Sequence, residues 1–227
     1  MRSAPLPDAE RSARARIRDA AIATIAEVGP ATATVRRIAR AAGVSPALVI
    51  HHYGSMEQLR GHCDHHVAAE IRRLKSAAMA EGAGLDIVAA FRDSQAGPLL
   101  AYLAAVLVED TPAVAQLVDE MVADALTYTH QGVAEGIIRP SADPTGRAVV
   151  LTVWSLGALV LHKHLDRLLG VDPTDPQFGR TPESAKYIGP VWEIYGSGLM
   201  TDDFTERARA ALTALADGEQ PTPRRHP

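Results

Sequence analysis

The sequence has few aromatic residues, a single cysteine and no long apolar run. Aromatic side chains make up 4% of its 227 residues, and the abundance of Ala, Leu and Val suits close-packed helices better than sheets. Cys63 has no partner for a disulfide within the chain, which fits a reducing compartment. The first ten residues lack the apolar run of a signal peptide, and the longest apolar stretch, 148–161, falls short of the ~20 residues of a membrane helix. We therefore expect an all-α, cytoplasmic protein with no membrane partner.

Lysine is absent from residues 1–60, yet this segment is basic. Nine arginines against five acidic residues give it a net charge of +4, whereas residues 61–227 carry −8. The overall charge of −4 argues weakly against nucleic acid as a partner, but a basic head on an acidic body is typical of a chain with one DNA-binding end.

Capping residues, Gly and Pro predict a series of helices without strand-like alternation. We expect helices at about 10–28, 35–42, 46–53, 56–80, 85–94, 97–109, 112–136, 144–169, from 182 with a bend or restart at Gly189–Pro190, and 203–216. Residues 170–181 are rich in Pro, Asp and Gly and are expected to form an exposed loop.

The segment TVRRIARAAGVSPALVIHHYGS, residues 34–55, has the form of a helix-turn-helix motif. Thr34 and Ser45 are suitable N-caps, Pro46 stands at a first helical position, and Gly43 suits a turn with positive φ. Ile38, Val44 and Val49 would face the core. The other positions of the second helix, together with Arg36 and Arg37, could then reach a major groove, and the helix N-termini could bind phosphate. A helical hairpin in a generic bundle is the alternative.

A family resemblance is carried by two segments, RIRDAAIATIAEVG and TVRRIARAAGVSPALVIHHYGSMEQL. In order and spacing, they resemble the tetracycline-repressor (TetR) family over residues 12–62. The resemblance implies a three-helix DNA-binding domain, residues 1–54, followed by a helical ligand-binding and dimerisation domain, residues 55–217. It also implies a homodimer that binds a palindromic operator on double-stranded DNA and responds to a small-molecule effector. Residues 218–227 are expected to be a disordered tail.

Carried over residue by residue, the resemblance implies two kinds of DNA contact. It places base-edge contacts on Arg36, Pro46, Ala47 and His51, and phosphate contacts on Thr34, Ile50, His52 and Met56. With the residues that the motif itself indicates, the full predicted DNA-binding set is Thr34, Arg36, Arg37, Ser45, Pro46, Ala47, Leu48, Ile50, His51, His52 and Met56.

Two of these positions depart from the family pattern. The family usually has Tyr at position 50 and Lys at position 56, where this chain has Ile50 and Met56. Loss of one phosphate neutralisation predicts a salt dependence of DNA binding that is shallower by about one log–log unit. Arg11, Arg14, Arg16 or Arg18 could supply the missing contacts.

The predicted helix at 144–169 is apolar on two sides, and such a helix must bury both. One side can face its own core and the other a second subunit, and the helix after residue 182 adds a further apolar face. The predicted dimer interface comprises Leu151, Trp154, Ala158, Leu161, Leu165, Val191, Trp192 and Tyr195. A monomer with a central buried helix is the alternative.

An effector pocket is expected among the helices between residues 56 and 169. Apolar side chains with a few phenols and an indole suit a small hydrophobic ligand. The candidate lining residues are Phe91, Leu99, Tyr102, Leu103, Val106, Met121, Ala125, Tyr128 and Trp154. Each of them could equally be ordinary core.

Metal sensing, catalysis and a purely structural role are alternative functions. His62 and His66 stand four residues apart on one helical face and could bind zinc or nickel, but no third ligand is evident. A metal-responsive regulator is therefore an alternative, while no metal site and no cofactor are predicted. The sequence has no GxSxG, phosphate-binding glycine loop or HExxH motif, so we do not expect an enzyme. A helical adaptor without DNA binding would not need the helix-turn-helix.

Overall fold

The computed structural model describes residues 8–80, 96–136 and 138–197. These residues form nine α-helices and no strand, so the predicted all-α class is confirmed. The helices are α1 (Asp8–Val28), α2 (Val35–Ala42), α3 (Pro46–Tyr53), α4 (Met56–Ala80), α5 (Gly97–Val106), α6 (Pro112–Ala134), α7 (Pro144–Val160), α8 (His162–Leu169) and α9 (Ala185–Ser197). The chain divides into two compact units, residues 1–184 and 185–227.

The helix boundaries follow from capping groups that the sequence displays. The hydroxyl oxygens of Thr34, Ser45, Ser55 and Thr111 each accept a backbone N–H in the first turn of α2, α3, α4 and α6. The Asp143 carboxylate does the same for α7 at 2.8 Å. Each cap satisfies a donor that the first helical turn leaves without a partner, which is why these starts could be predicted from sequence.

One core runs through the first unit. Helix α1 packs against α2, α4 and α5, and α4 packs along α6, which in turn contacts α7. Ile17, Ile25 and Ile38 near the N-terminus and Leu59, Val67 and Tyr102 farther along the chain all belong to one buried cluster. The N-terminal three helices are therefore held by the same core as the rest of the unit.

The prediction of a single helix at 144–169 is wrong. The structure has two helices, α7 and α8, bent by 71° at Leu161 (φ −98°, ψ 17°). At the bend, His162 Nδ1 lies 3.0 Å from the carboxylate of Asp172, ten residues farther along. The bend could not be predicted, because the apolar pattern of the sequence continues through it. The contact with the following loop does not alter that pattern. Leu165 consequently lies on α8, off the line of α7.

Other boundaries differ by smaller amounts. Helix α5 ends at Val106, three residues before the predicted end. Helix α9 runs through Gly189–Pro190 without a restart, although Pro190 cannot donate a helical backbone hydrogen bond. The predicted helices at 85–94 and 203–216 and the predicted disordered tail at 218–227 lie outside the described residues.

Within the described residues, no single helix is both long and apolar enough to cross a membrane. Helices α7 and α8 meet the criteria of length and composition only when they are taken together.

Candidate nucleic-acid interface

The α2–turn–α3 segment has one buried side and one open side. Ile38, Ala39 and Val49 are at most 1% exposed, and half-buried Val44 packs against the same core. The turn between the helices depends on Gly43, which has φ +66° and donates its N–H back to α2. That left-handed conformation costs little for Gly and strains other residues. The predicted helix-turn-helix is confirmed, with its apolar side fixed inward.

Most of the predicted DNA-binding residues lie on the open side. Exposed are Thr34, Arg36, Arg37, Ser45, Pro46, Ala47, Ile50 and His51. Leu48, His52 and Met56 are half-buried. Met56 packs partly against the core, so the position where the family usually has Lys is here turned to apolar packing.

Two of the hydroxyls predicted to face DNA are already used as caps. Thr34 Oγ1 accepts from the Arg37 N–H at 3.3 Å, and Ser45 Oγ accepts from the Leu48 N–H at 3.2 Å. Each hydroxyl keeps its own hydrogen for donation to a phosphate oxygen.

Arg14, on α1, contacts both the last residue of α3 and a histidine on α4. Its guanidinium carbon lies 5.1 Å from the centre of the Tyr53 ring, and its Nη2 lies 3.3 Å from His62 Nε2. The Tyr53 hydroxyl donates to the Arg14 backbone carbonyl at 2.8 Å. Of the arginines expected to supply extra DNA contacts, Arg14 is therefore engaged within the protein. Arg18 forms a 2.7 Å ion pair with Asp19, and Arg16 is exposed.

A cleft of about 570 Å³ lies between α3 and α4 beside this cluster, lined by His52, Tyr53, Gln58, Gly61, His62 and His65. Burial, followed by the charges of Arg14 and His65, lowers the pKa of His62. Sequence reasoning did not find this cleft, because its lining residues are spread over positions 52–65 on two different helices.

Arg40 is a further exposed cation on α2 that the prediction omitted. With Arg37 it lines a groove of about 290 Å³ between α1 and α2, opposite Thr24 and Glu27. Its place three residues after Arg37, on the same helical face, is the signal that could have identified it.

The described residues do not favour the metal-responsive alternative. Among them, no group of three or more His, Cys, Asp or Glu side chains is placed to hold an ion. His62 faces Arg14, and His65 pairs with Glu120 on α6 at 3.1 Å. Cys63 is fully buried, and burial raises the pKa of its thiol to about 12.

The residues predicted to line an effector pocket divide into three groups. Tyr102, Leu103, Val106 and Ala125 are buried, and the first three belong to the continuous core. Leu99, Met121 and Tyr128 are half-buried. Trp154 is 48% exposed on α7, and Phe91 lies outside the described residues.

Apolar side chains predicted for a dimer interface stand exposed on two helices. On α7 and its end, Trp154 and Leu161 are exposed together with Val149, Val150, Val153 and Val160, while Leu151 and Ala158 are half-buried. On α9, Trp192 and Tyr195 are 39% and 44% exposed, with ring centres 6.1 Å apart in an edge-to-face arrangement. Val191 and Leu165 are half-buried.

Comparison with known proteins assigns both parts of the chain. Residues 17–63 match the family model described as "Bacterial regulatory proteins, tetR family". Residues 94–201 match the "Tetracyclin repressor-like, C-terminal domain". The HTH-type transcriptional regulatory protein RaaS of Mycobacterium tuberculosis is 36% identical over 203 residues, which cover 89% of this chain and 91% of RaaS.

Solved structures share the fold. A TetR-family regulator from Rhodococcus sp. is 19% identical and has a TM-score of 0.56, covering 82% of this chain and 100% of its own. NalD of Pseudomonas aeruginosa, titled the secondary repressor of the MexAB-OprM multidrug efflux pump, is 18% identical and has a TM-score of 0.50. This match covers 85% of this chain and 99% of NalD. The chain therefore belongs to the TetR family, and the protein is a DNA-binding transcriptional regulator and not an enzyme.

Proposed function

We propose that the protein is a repressor that binds a palindromic operator as a homodimer and is released by a small hydrophobic effector. The observation that carries this proposal is the two-sided α2–turn–α3 segment. Its apolar side is buried in the core, and Arg36, Pro46, Ala47 and His51 stand exposed on the other side. NalD, which shares the fold, is titled a repressor. A regulator of this kind acts in the cytoplasm, where the chromosome lies.

Readout of the operator would rest on few hydrogen bonds. Arg36 and His51 are the exposed donors suited to base edges, and Ala47 with half-buried Leu48 suits contact with thymine methyl groups. The phosphate contacts would come from Thr34, Arg37, Ser45, His52 and the N-termini of α2 and α3. Because Ile50 cannot donate and Met56 is uncharged, phosphate binding would depend on these groups and on the avidity of a dimer.

The exposed side of α7 supports the homodimer. Val150 is 62% exposed and Val153 is 55% exposed, and Trp154 lies beside them. A contiguous apolar patch on a helix is typical of an interface, and an isologous pairing would cover it on both copies. We assign Trp154 to this face and not to the effector pocket. Helix α9 offers Val191, Trp192 and Tyr195 as a second apolar face.

We place the effector site in the body, residues 55–217, apart from the DNA-binding domain, residues 1–54. Leu99, Met121 and Tyr128 are half-buried, and together with Ala125 they offer apolar contact and a phenol hydroxyl. Tyr102, Leu103 and Val106 would form the inner wall of the site because they are fully buried.

A gel-shift titration of the full chain on the DNA upstream of its own gene tests the function. We expect specific binding that survives excess competitor DNA. Arg36→Ala should weaken binding at least several-fold, whereas Arg139→Ala, which removes an exposed arginine outside the DNA-binding domain, should not. Equal binding to specific and competitor DNA would reject an operator-binding role.

A further inference from the structure

A polar cluster lies in the core where α4 meets α5. Tyr102 on α5 is fully buried, and its hydroxyl donates to Asp64 Oδ1 on α4 at 2.6 Å. Asp64 is itself only 9% exposed. One helical turn earlier, Arg60 Nη2 lies 2.6 Å from Glu109 Oε2, just after the end of α5. The two contacts join one face of α4 to α5 and to the turn that follows α5.

This cluster joins residues from two different parts of the chain. The N-terminal family match ends at residue 63 and the C-terminal match begins at residue 94. Asp64 is therefore the first residue after the N-terminal match, and Tyr102 lies within the C-terminal match. Helix α4 begins at Met56, three residues after α3 ends at Tyr53, and Leu59 in its first turn is fully buried. Any rotation of α4 would therefore move α3.

Burial of a carboxylate at this position carries a desolvation cost. Burial raises the pKa of Asp64, while the Tyr102 hydrogen bond and the Arg60 charge act in the opposite direction. An apolar pair of similar shape is often at least as stable as a buried polar pair. A hydrogen bond differs from apolar packing in being directional, so this one favours a particular rotation of α4 relative to α5.

We propose that the Asp64–Tyr102 hydrogen bond is a positioning contact that holds α4, and through it α3, in the arrangement that binds DNA. Tyr102 is then a positioning residue by which the body controls the DNA-binding domain. An effector that withdraws the Tyr102 hydroxyl or the Asp64 carboxylate from this bond would release the operator. This inference rests on the proposed operator-binding function.

The test separates positioning from stability. Tyr102→Phe removes only the hydroxyl, and Tyr102→Phe with Asp64→Leu replaces the bond by apolar packing. The matched control is Thr129→Val, which removes another buried hydroxyl. Thr129 donates to the Ala125 carbonyl within α6 at 2.7 Å and does not join two helices. Operator affinity is measured by fluorescence anisotropy on the DNA upstream of the gene, and the unfolding midpoint is measured on the same samples.

We expect Tyr102→Phe to weaken operator binding by about tenfold, the loss that corresponds to one net hydrogen bond. The double variant should recover the unfolding midpoint of the wild type while its operator binding stays weak. Thr129→Val should lower the midpoint and leave binding within about twofold of the wild type. If binding recovers together with stability in the double variant, or if Thr129→Val weakens binding as much as Tyr102→Phe, the contact is only structural and the proposal fails. If the wild type binds no DNA specifically, the operator-binding function fails first, and this inference fails with it.

Discussion

The hydroxyl of Tyr53, the last residue of the second helix of the motif, donates a hydrogen bond to the backbone carbonyl of Arg14, 39 residues earlier in the chain. The Tyr53 side chain is 5% exposed, and the Arg14 guanidinium lies over its ring. One residue thus fixes the end of α3 to α1. We expect Tyr53→Phe to lower the free energy of unfolding by about 1 kcal/mol, because the ring stays in place and only the hydrogen bond is lost.

Urea unfolding at a fixed protein concentration measures this change, since a dimer's stability depends on concentration. Arg14→Met is the companion variant. It keeps the backbone carbonyl that accepts the bond and removes the guanidinium, so the effect of Tyr53→Phe should persist in that background. An unchanged unfolding midpoint for Tyr53→Phe would show that the bond does not stabilise the fold.

The contact between Arg14 and His62 predicts a loss of stability in acid. Neutral His62 can accept a hydrogen bond from Arg14 at Nε2, and the protonated ring cannot. Burial and the charge of Arg14 lower the pKa of His62 in the folded protein. A base whose folded pKa is lowered stabilises the fold above its unfolded pKa of about 6.5 and loses that contribution as the pH falls through the folded value.

His62→Gln keeps a hydrogen-bond acceptor that does not titrate. Its stability relative to the wild type should therefore rise as the pH is lowered from 7.5 to 5.5. His130→Gln, at an exposed position on α6, serves as the control and should follow the wild type more closely. Parallel curves for His62→Gln and the wild type would contradict the prediction.

Ile50 and Met56 offer a direct test of the DNA-facing side. Met56→Lys can lay its alkyl chain along the core that Met56 now covers and extend its charge to a phosphate. It should tighten operator binding and steepen the log–log salt slope by about one per protomer. Ile50→Tyr should tighten binding without changing the slope, because its hydroxyl is neutral.

Anisotropy titrations over a range of salt concentrations measure both effects. Ala134→Lys, at the exposed end of α6, adds the same charge away from the motif and should leave the slope almost unchanged. If Met56→Lys behaves like Ala134→Lys, residue 56 does not lie near the DNA backbone.

The apolar side of α7 predicts a dimer that one charge can disrupt. Val150→Glu would place an unpaired carboxylate in the proposed interface, which is strongly unfavourable. Sedimentation velocity should show a dimer for the wild type and a monomer for Val150→Glu at the same micromolar concentration. Ala115→Glu, on an exposed position of α6, should remain dimeric. A Val150→Glu variant that stays dimeric would place the interface elsewhere.

Features that depend on contacts within a few residues could be predicted from the sequence. Features that depend on contacts between distant residues could not. Thr34, Ser45 and Ser55 cap the helices within three residues of their own positions, so the helix starts and the helix-turn-helix could be predicted. The bend at Leu161 could not, because it goes with a contact between His162 and a loop residue. The contacts of Asp64 with Tyr102 and of Arg14 with Tyr53 join residues 38 and 39 apart, and no local pattern marks such pairs.

Footprinting of the full chain by hydroxyl radicals on the DNA upstream of its gene tests the central claim most directly. The account predicts protection of two half-sites related by a two-fold axis and separated by about one helical turn or a multiple of it, and this protection should be lost with Arg36→Ala. No protection above that on competitor DNA, or a single unpaired site, would contradict a dimeric operator-binding repressor.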